Sequence, residues 1–171
     1  NYRDGGAFGL VPEDASKLTI EWQRSIGGID KWGGVGWTGQ PAIVRWDESV
    51  RNQMNLKENK KNKEGLCEVI YATLDGKIYF LDLEDGKATR SAIKLGAPIK
   101  GSVSVDPRGW PLLYTGQGID TVNGKSVKIG YRVYSLIDQK QLLFINGKEK
   151  YAPRNWGAFD CSALLDVGSD T

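Results

Sequence analysis

Along most of the chain, apolar positions alternate with polar ones in short runs. Gly, Asp, Asn or Pro then breaks each run. That period of two, punctuated by turn residues, predicts β-strands. The most regular example is "VIYATLDGKIYFLDLEDGKATR", residues 69 to 90, where turns at Asp75-Gly76 and Asp85-Gly86 separate β-rich runs. Helical periodicity is confined to residues 47 to 63. There Val50, Met54 and Leu56 fall loosely on one face, and Asp47 is placed to cap the first turn.

The β pattern repeats. "GQPAIVRWD" at 39 to 47, "GSVSVDPRG" at 101 to 109 and "CSALLDVGS" at 161 to 169 align Pro41, Val103 and Ala163 at intervals of roughly 60 residues. Four strands fit each interval. The first unit has strands at 40 to 46, 68 to 73, 77 to 83 and 87 to 95. The second has them at 102 to 106, 111 to 116, 128 to 136 and 140 to 146. Four-stranded repeats that pack on their neighbours predict an all-β fold, a partial β-propeller of antiparallel blades. On this reading residues 12 to 28 supply a closing outer strand around Leu18 to Gln23, with Trp22 on it. Residues 37 to 96 form blade one, 100 to 148 blade two and 156 to 171 the start of blade three. A closed ring takes at least about four blades. The C-terminal remainder of the ring is therefore expected to be missing from this chain, and its blades are the first expected partners.

"DGKIYFLDLEDGKATR" resembles the pyrroloquinoline-quinone-type (PQQ-like) repeat, through Asp75, Gly76, Ile78, Tyr79, Leu81, Asp82, Gly86 and Lys87. "RVYSLIDQKQLLF" is similar but weaker, with Gln139 in the place of the glycine. "PEDASKLTIEW" matches the end of the motif and puts Trp22 in its docking-tryptophan place, where blade one has Arg90 or a neighbour and blade two Phe144. The resemblance implies a propeller, a bacterial origin and a setting in the cell envelope or outside the cell. It also implies that enzymes of the family hold quinone and Ca²⁺ beside an adjacent cysteine pair, and this chain has no such pair.

Chemistry narrows the picture mainly by exclusion. A net charge of +2 with no basic stripe argues against nucleic acid. The run "KENKKNK" at 57 to 63 reads as a solvated loop. The absence of histidine excludes Ser-His and Cys-His catalysis within the chain, and histidine-ligated metal. Cys67 and Cys161 are too far apart in sequence for a zinc or redox motif. No apolar run is long enough to cross a membrane. Asp106, Asp160 and Asp166 lie on or beside innermost strands and read first as turn residues. The alternatives are Ca²⁺ ligands or a glycosidase-like carboxylate pair.

The tryptophans supply the remaining signal. Two loops that precede innermost strands, "DKWGGVGWTGQP" and "YAPRNWGAFD", collect Trp32, Trp37, Arg154, Trp156, Phe159 and Asp160 on one face, with Lys100 beside them. Trp46 and Trp110 fall on the opposite face. Wedge-filling between blades explains such rings, and so does a ligand surface. The expected function is a non-catalytic binding or scaffolding propeller of the cell surface or secreted space, recognising a glycan or protein through those loops, with no cofactor. The alternatives are a quinoprotein-like oxidoreductase whose PQQ and Ca²⁺ site lies in the missing portion, and an envelope assembly scaffold.

Overall fold

The computed structural model describes Ser16 and residues 18 to 36, 39 to 150 and 156 to 169. The protein is all-β with antiparallel sheets. The strands are β1 (Gly28–Ile29), β2 (Trp32–Gly33), β3 (Ala42–Arg45), β4 (Cys67–Ala72), β5 (Lys77–Asp82), β6 (Ile93–Lys94), β7 (Ser104–Val105), β8 (Leu112–Gln117), β9 (Thr121–Val122), β10 (Lys125–Ser126), β11 (Gly130–Ser135) and β12 (Gln141–Asn146). Sheet one runs in the order β3-β4-β5-β6 and sheet two in the order β7-β8-β11-β12. Sheet one is a simple meander, and sheet two is a meander interrupted between β8 and β11 by the separate β9–β10 hairpin.

Register decides which residues meet. Ile70 pairs with Phe80 and Ala72 with Ile78, which sets one row of side chains on one face of sheet one. From sheet two, Val105, Leu113 and Tyr134 line the facing surface, with Leu136 just beyond β11. These rows join in one hydrophobic core that also holds Trp46, Met54, Leu56 and Leu66. Burial of a large apolar side chain contributes about 1.5–3 kcal/mol, so this shared core is the main force holding the sheets together.

Several sequence expectations need correction. Residues 47 to 63 form two single turns, α1 (Glu48–Arg51) and α2 (Glu58–Lys61), and not one helix. Between them the backbone turns outward for partners: Asn55 N–H donates to the Ile137 carbonyl and Lys57 N–H to that of Thr89. Met54 and Leu56 sink into the core, and the Asp47 side chain makes no capping hydrogen bond. No strand forms at 18 to 23 or at 156 to 169 among the described residues. A strand needs a ladder partner for its backbone groups, and neither segment has one among the described residues. The outermost strand of sheet one shrinks to β6, with a single bridge between Leu81 and Ala88.

The basic run is not simply solvated. Lys60 is 5% exposed and donates to Asp82 at 2.6 Å and to Asp85 at 2.9 Å. Lys63 reaches Asp82 at 2.6 Å and also pairs with Glu84. These lysines fasten the 47-to-66 loop to the acidic turn after β5. Burial on its own would raise the Asp82 carboxyl. The hydrogen bonds from Lys60 and Lys63 outweigh it and hold the group below the usual carboxylate range.

A second buried pair sits between the sheets. Arg90 and Glu68 side chains are both 0% exposed, with Arg90 Nη2 2.5 Å from Glu68 Oε2 and Arg90 Nε 3.0 Å from Oε1. Trp46 Nε1 and Thr89 Oγ1 also donate to that carboxylate. Arg90 then crosses to sheet two, where Nη1 donates to the Leu136 carbonyl at 2.5 Å.

The Leu136 contact has a counterpart one unit earlier. Trp22 Nε1 donates to the Leu83 carbonyl at 2.7 Å. In each case the acceptor lies three residues before a left-handed residue of the acidic turn, Gly86 (φ 64°) or Gln139 (φ 62°). Gly86 lies against the Trp22 ring, and a β-carbon there would fall 2.6 Å from it. At the Arg90 junction the side chain is used instead. Gln139 donates to the Ser91 carbonyl at 2.7 Å and accepts from Asn55 at 2.9 Å.

Arg90→Ala, which strands Glu68 without its counter-charge, is expected to cost about 3–5 kcal/mol in urea unfolding. Gly86→Ala, strained in φ and clashing with Trp22, is expected to destabilise the chain by more than Gln139→Gly does. Asp82 contributes stability in full above its unfolded value of about 3.9 and loses it as the pH falls through the lower folded value. Unfolding midpoints measured from neutral to strongly acidic pH should therefore drop more steeply for the parent than for Asp82→Asn, which starts lower.

Candidate functional site

The loop after residue 27 turns back on itself as the β1–β2 hairpin, with Asp30 at φ 54° in the turn. A second small hairpin, β9–β10, rises from sheet two through an Asn123-Gly124 turn, both residues at positive φ. Asn-Gly is the preferred pair for such a two-residue turn. The hairpins are joined: Asn123 N–H donates to Asp30 Oδ2 at 3.1 Å. The first is also held to sheet one, where Leu74 N–H donates to the Gly34 carbonyl at 3.0 Å.

Between these hairpins lies a cleft of about 240 Å³ lined by Lys31, Trp32, Gly118, Ile119, Asp120, Thr121 and Trp156. Trp156 is 77% exposed at its rim, unusual for so large an apolar ring. Trp32 is partly buried. Lys31 Nζ and Lys100 Nζ stand 5.9 and 5.6 Å from its ring centre, within cation–π range. Lys100 also reaches Asp160 Oδ2 at 3.2 Å. Asp160 Oδ1 lies against Gly118, where a β-carbon would sit 2.6 Å from it, so only glycine lets the carboxylate approach so closely. Trp32 Nε1 and Asp160 Oδ1 are buried and lack a hydrogen-bond partner among the described residues.

Among the expected site residues, Trp32, Lys100 and Asp160 form one continuous chain of contacts, and Trp156 lines the same cleft as Trp32. Phe159 belongs elsewhere: its ring is 6.1 Å from that of Tyr131 and it packs on Gly116 of β8. Trp37 and Arg154 lie outside the described residues. Lys31, Asp120 and Thr121 also line the cleft and were not expected. The "VNG" turn that marks the second hairpin was visible in the sequence, but the hairpin's approach to Asp30 was not.

The other tryptophans divide. Trp46 is buried in the core and bonded to Glu68, so it does not belong to a surface on the opposite face. Trp110 is 60% exposed. The remaining carboxylates serve turns. Asp106 accepts from the Arg108 N–H and guanidinium at 2.9 and 2.7 Å, and those bonds hold its carboxyl below the usual range. Asp166 accepts from Gly168 N–H at 2.9 Å and Ser169 Oγ at 2.6 Å. Among the described residues no three of His, Cys, Asp or Glu converge as metal ligands, and no helix is long and apolar enough to cross a membrane.

A second cleft, of about 320 Å³, runs along Gln40-Pro41, Ser102 to Val105 and Ser162 to Leu165. Gln40 N–H donates to Ser102 Oγ at 2.8 Å, and Ser104 Oγ donates to the Ala163 carbonyl at 2.7 Å. The aligned segments of the sequence repeat therefore lie side by side. The chain matches no protein-family model and no curated protein sequence.

The exposed and buried tryptophans should separate cleanly in unfolding experiments. Trp156→Ala is expected to leave stability within about 0.5 kcal/mol of the parent, whereas Trp46→Ala is expected to cost about 3–5 kcal/mol.

Proposed function

We propose that the chain is a segment of a β-propeller built from PQQ-like repeats, and that it works as a non-catalytic binding or scaffolding module. The observation that carries the architecture is the repeated junction. Trp22 to the Leu83 carbonyl and Arg90 to the Leu136 carbonyl are the same contact one unit apart, made with different side chains. The side-by-side innermost segments at 39 to 41, 101 to 103 and 161 to 163 support the same reading, since a propeller places those segments around a central channel.

The far face of sheet two supports it as well. Leu112, Tyr114, Tyr131, Val133, Leu143 and Ile145 point away from sheet one, and Leu143 and Ile145 are each 46% exposed on the edge strand β12. An apolar sheet face with an open edge is a place for another sheet. The occupant proposed is a further blade of the same protein, seated as sheet two is seated on sheet one. Non-catalytic work is supported by the engagement of the inner carboxylates in turns and ion pairs. Binding is supported by the Trp-rimmed cleft. The cellular setting, in a bacterial envelope or outside the cell, rests on the sequence resemblance.

The test is the double variant Leu143→Asp, Ile145→Asp in the natural protein. If a blade covers β12, two buried charges are expected to lower the melting temperature by many degrees. A change of a degree or less would show an open face and would overturn the propeller reading.

A further inference from the structure

We propose that the cleft between the two hairpins binds an uncharged sugar residue, stacked on Trp156, as its ligand. The inference rests on the binding-module reading and adds the ligand's chemical class. Three features of the cleft select it.

The first is the exposed ring. Trp156 offers a flat apolar face at the rim of a cleft that mixes apolar Trp32 and Ile119 with polar Lys31, Asp120 and Thr121. A pyranose has the matching character, with an apolar C–H face and a polar edge. The second is the balance of charge. Asp120 is paired with Lys148 at 2.8 Å and Asp160 with Lys100 at 3.2 Å. Both carboxylates therefore carry a lysine already, and the site presents no unopposed charge of either sign from these pairs. Lys31 adds a further positive charge to the lining, so a charged ligand of either sign would meet like as well as opposite charge.

The third feature is the pair of unsatisfied atoms. Trp32 Nε1 can only donate, whereas a carboxylate oxygen such as Asp160 Oδ1 accepts; Trp32 lines the cleft and Asp160 lies behind its Gly118. A buried polar atom without a partner costs about 1–3 kcal/mol. Both atoms are closed off in the structure, so a small opening of the hairpin must accompany any contact with them. Sugar hydroxyls accept and donate at once, and so can satisfy both kinds of orphan where a purely donating or purely accepting ligand serves one. Asp120 and Thr121, from the second hairpin, supply further polar partners.

The experiment is a titration of the ¹⁵N-labelled chain, followed through its indole N–H signals. The probes are maltohexaose, cellohexaose and chitohexaose as uncharged ligands, and hexagalacturonate as the charged control. Saturable shifts of both the Trp32 and Trp156 signals are expected with at least one uncharged hexasaccharide. Trp156→Ala, with an unchanged melting temperature, is expected to weaken that binding by about tenfold or more. The proposal is overturned if no uncharged hexasaccharide shifts these signals, if hexagalacturonate alone does, or if Trp156→Ala binds as the parent does. A failure here leaves the β12-face result untouched. A solvent-exposed β12 face would remove the propeller reading and leave sugar binding to stand or fall on these titrations.

Discussion

The seating of the two sheets on each other is selected by one charged pair that water cannot reach. Apolar packing between Phe80, Ile70, Leu113 and Tyr134 attracts the sheets but is tolerant of small slips. The Arg90–Glu68 pair is not tolerant. Each charge has lost its hydration, and each is recovered only through directed bonds: Trp46, Thr89 and Arg90 on the carboxylate, and Glu68 and the Leu136 carbonyl on the guanidinium. A shift of an ångström would leave a buried charge short of a partner, a cost of several kcal/mol. The guanidinium also lies 4.5 Å from the Phe80 ring centre, so the same side chain belongs to the apolar core and to the polar junction. Whether the pair adds net stability over an apolar substitute is secondary. It selects one seating among those that packing alone would accept.

The positions of the two hairpins follow from that seating. The first is tied to sheet one and the second grows from sheet two, so the distance between them is set by the angle and offset of the sheets. The Asn123–Asp30 bond closes this arrangement across the top. The cleft is thus a property of the inter-sheet junction, although none of its lining residues touches Arg90 or Glu68.

The strands of both sheets were legible because alternation and turn residues are local signals. β4, β5, β8, β11 and β12 fall within a residue or two of where the pattern puts them. What failed was nonlocal. Residues 47 to 63 carry a helix-like spacing, yet the backbone of Asn55 and Lys57 finds better partners in Ile137 and Thr89, far along the chain. Lys60 looked like one more solvated lysine, because nothing nearby in sequence announces that Asp82 and Asp85 will surround it. The same holds for the cleft. Tryptophans in glycine-rich loops marked its neighbourhood, whereas Asp120 and Thr121 reached it through a hairpin whose direction no local pattern encodes. Phe159 carried the same signal as Trp156 and was drawn instead to Tyr131.

The pairing of junction residues with their turns also bears on how such a chain can change over evolutionary time. A tryptophan faces a bare glycine at one junction, and at the next an arginine is accompanied by a glutamine that bonds its neighbours Ser91 and Asn55. Each half suits its own mate: the indole leaves no room for a glutamine, and a glycine offers the arginine junction neither bond to Ser91 nor one to Asn55. Neighbouring units are therefore keyed to one another. Exchanging two of them, or inserting a duplicate, would set an indole against a side chain or leave a guanidinium beside an empty corner. Order along the chain is in this way written into the fit between units, and drift at one junction residue can proceed only with its partner across the boundary.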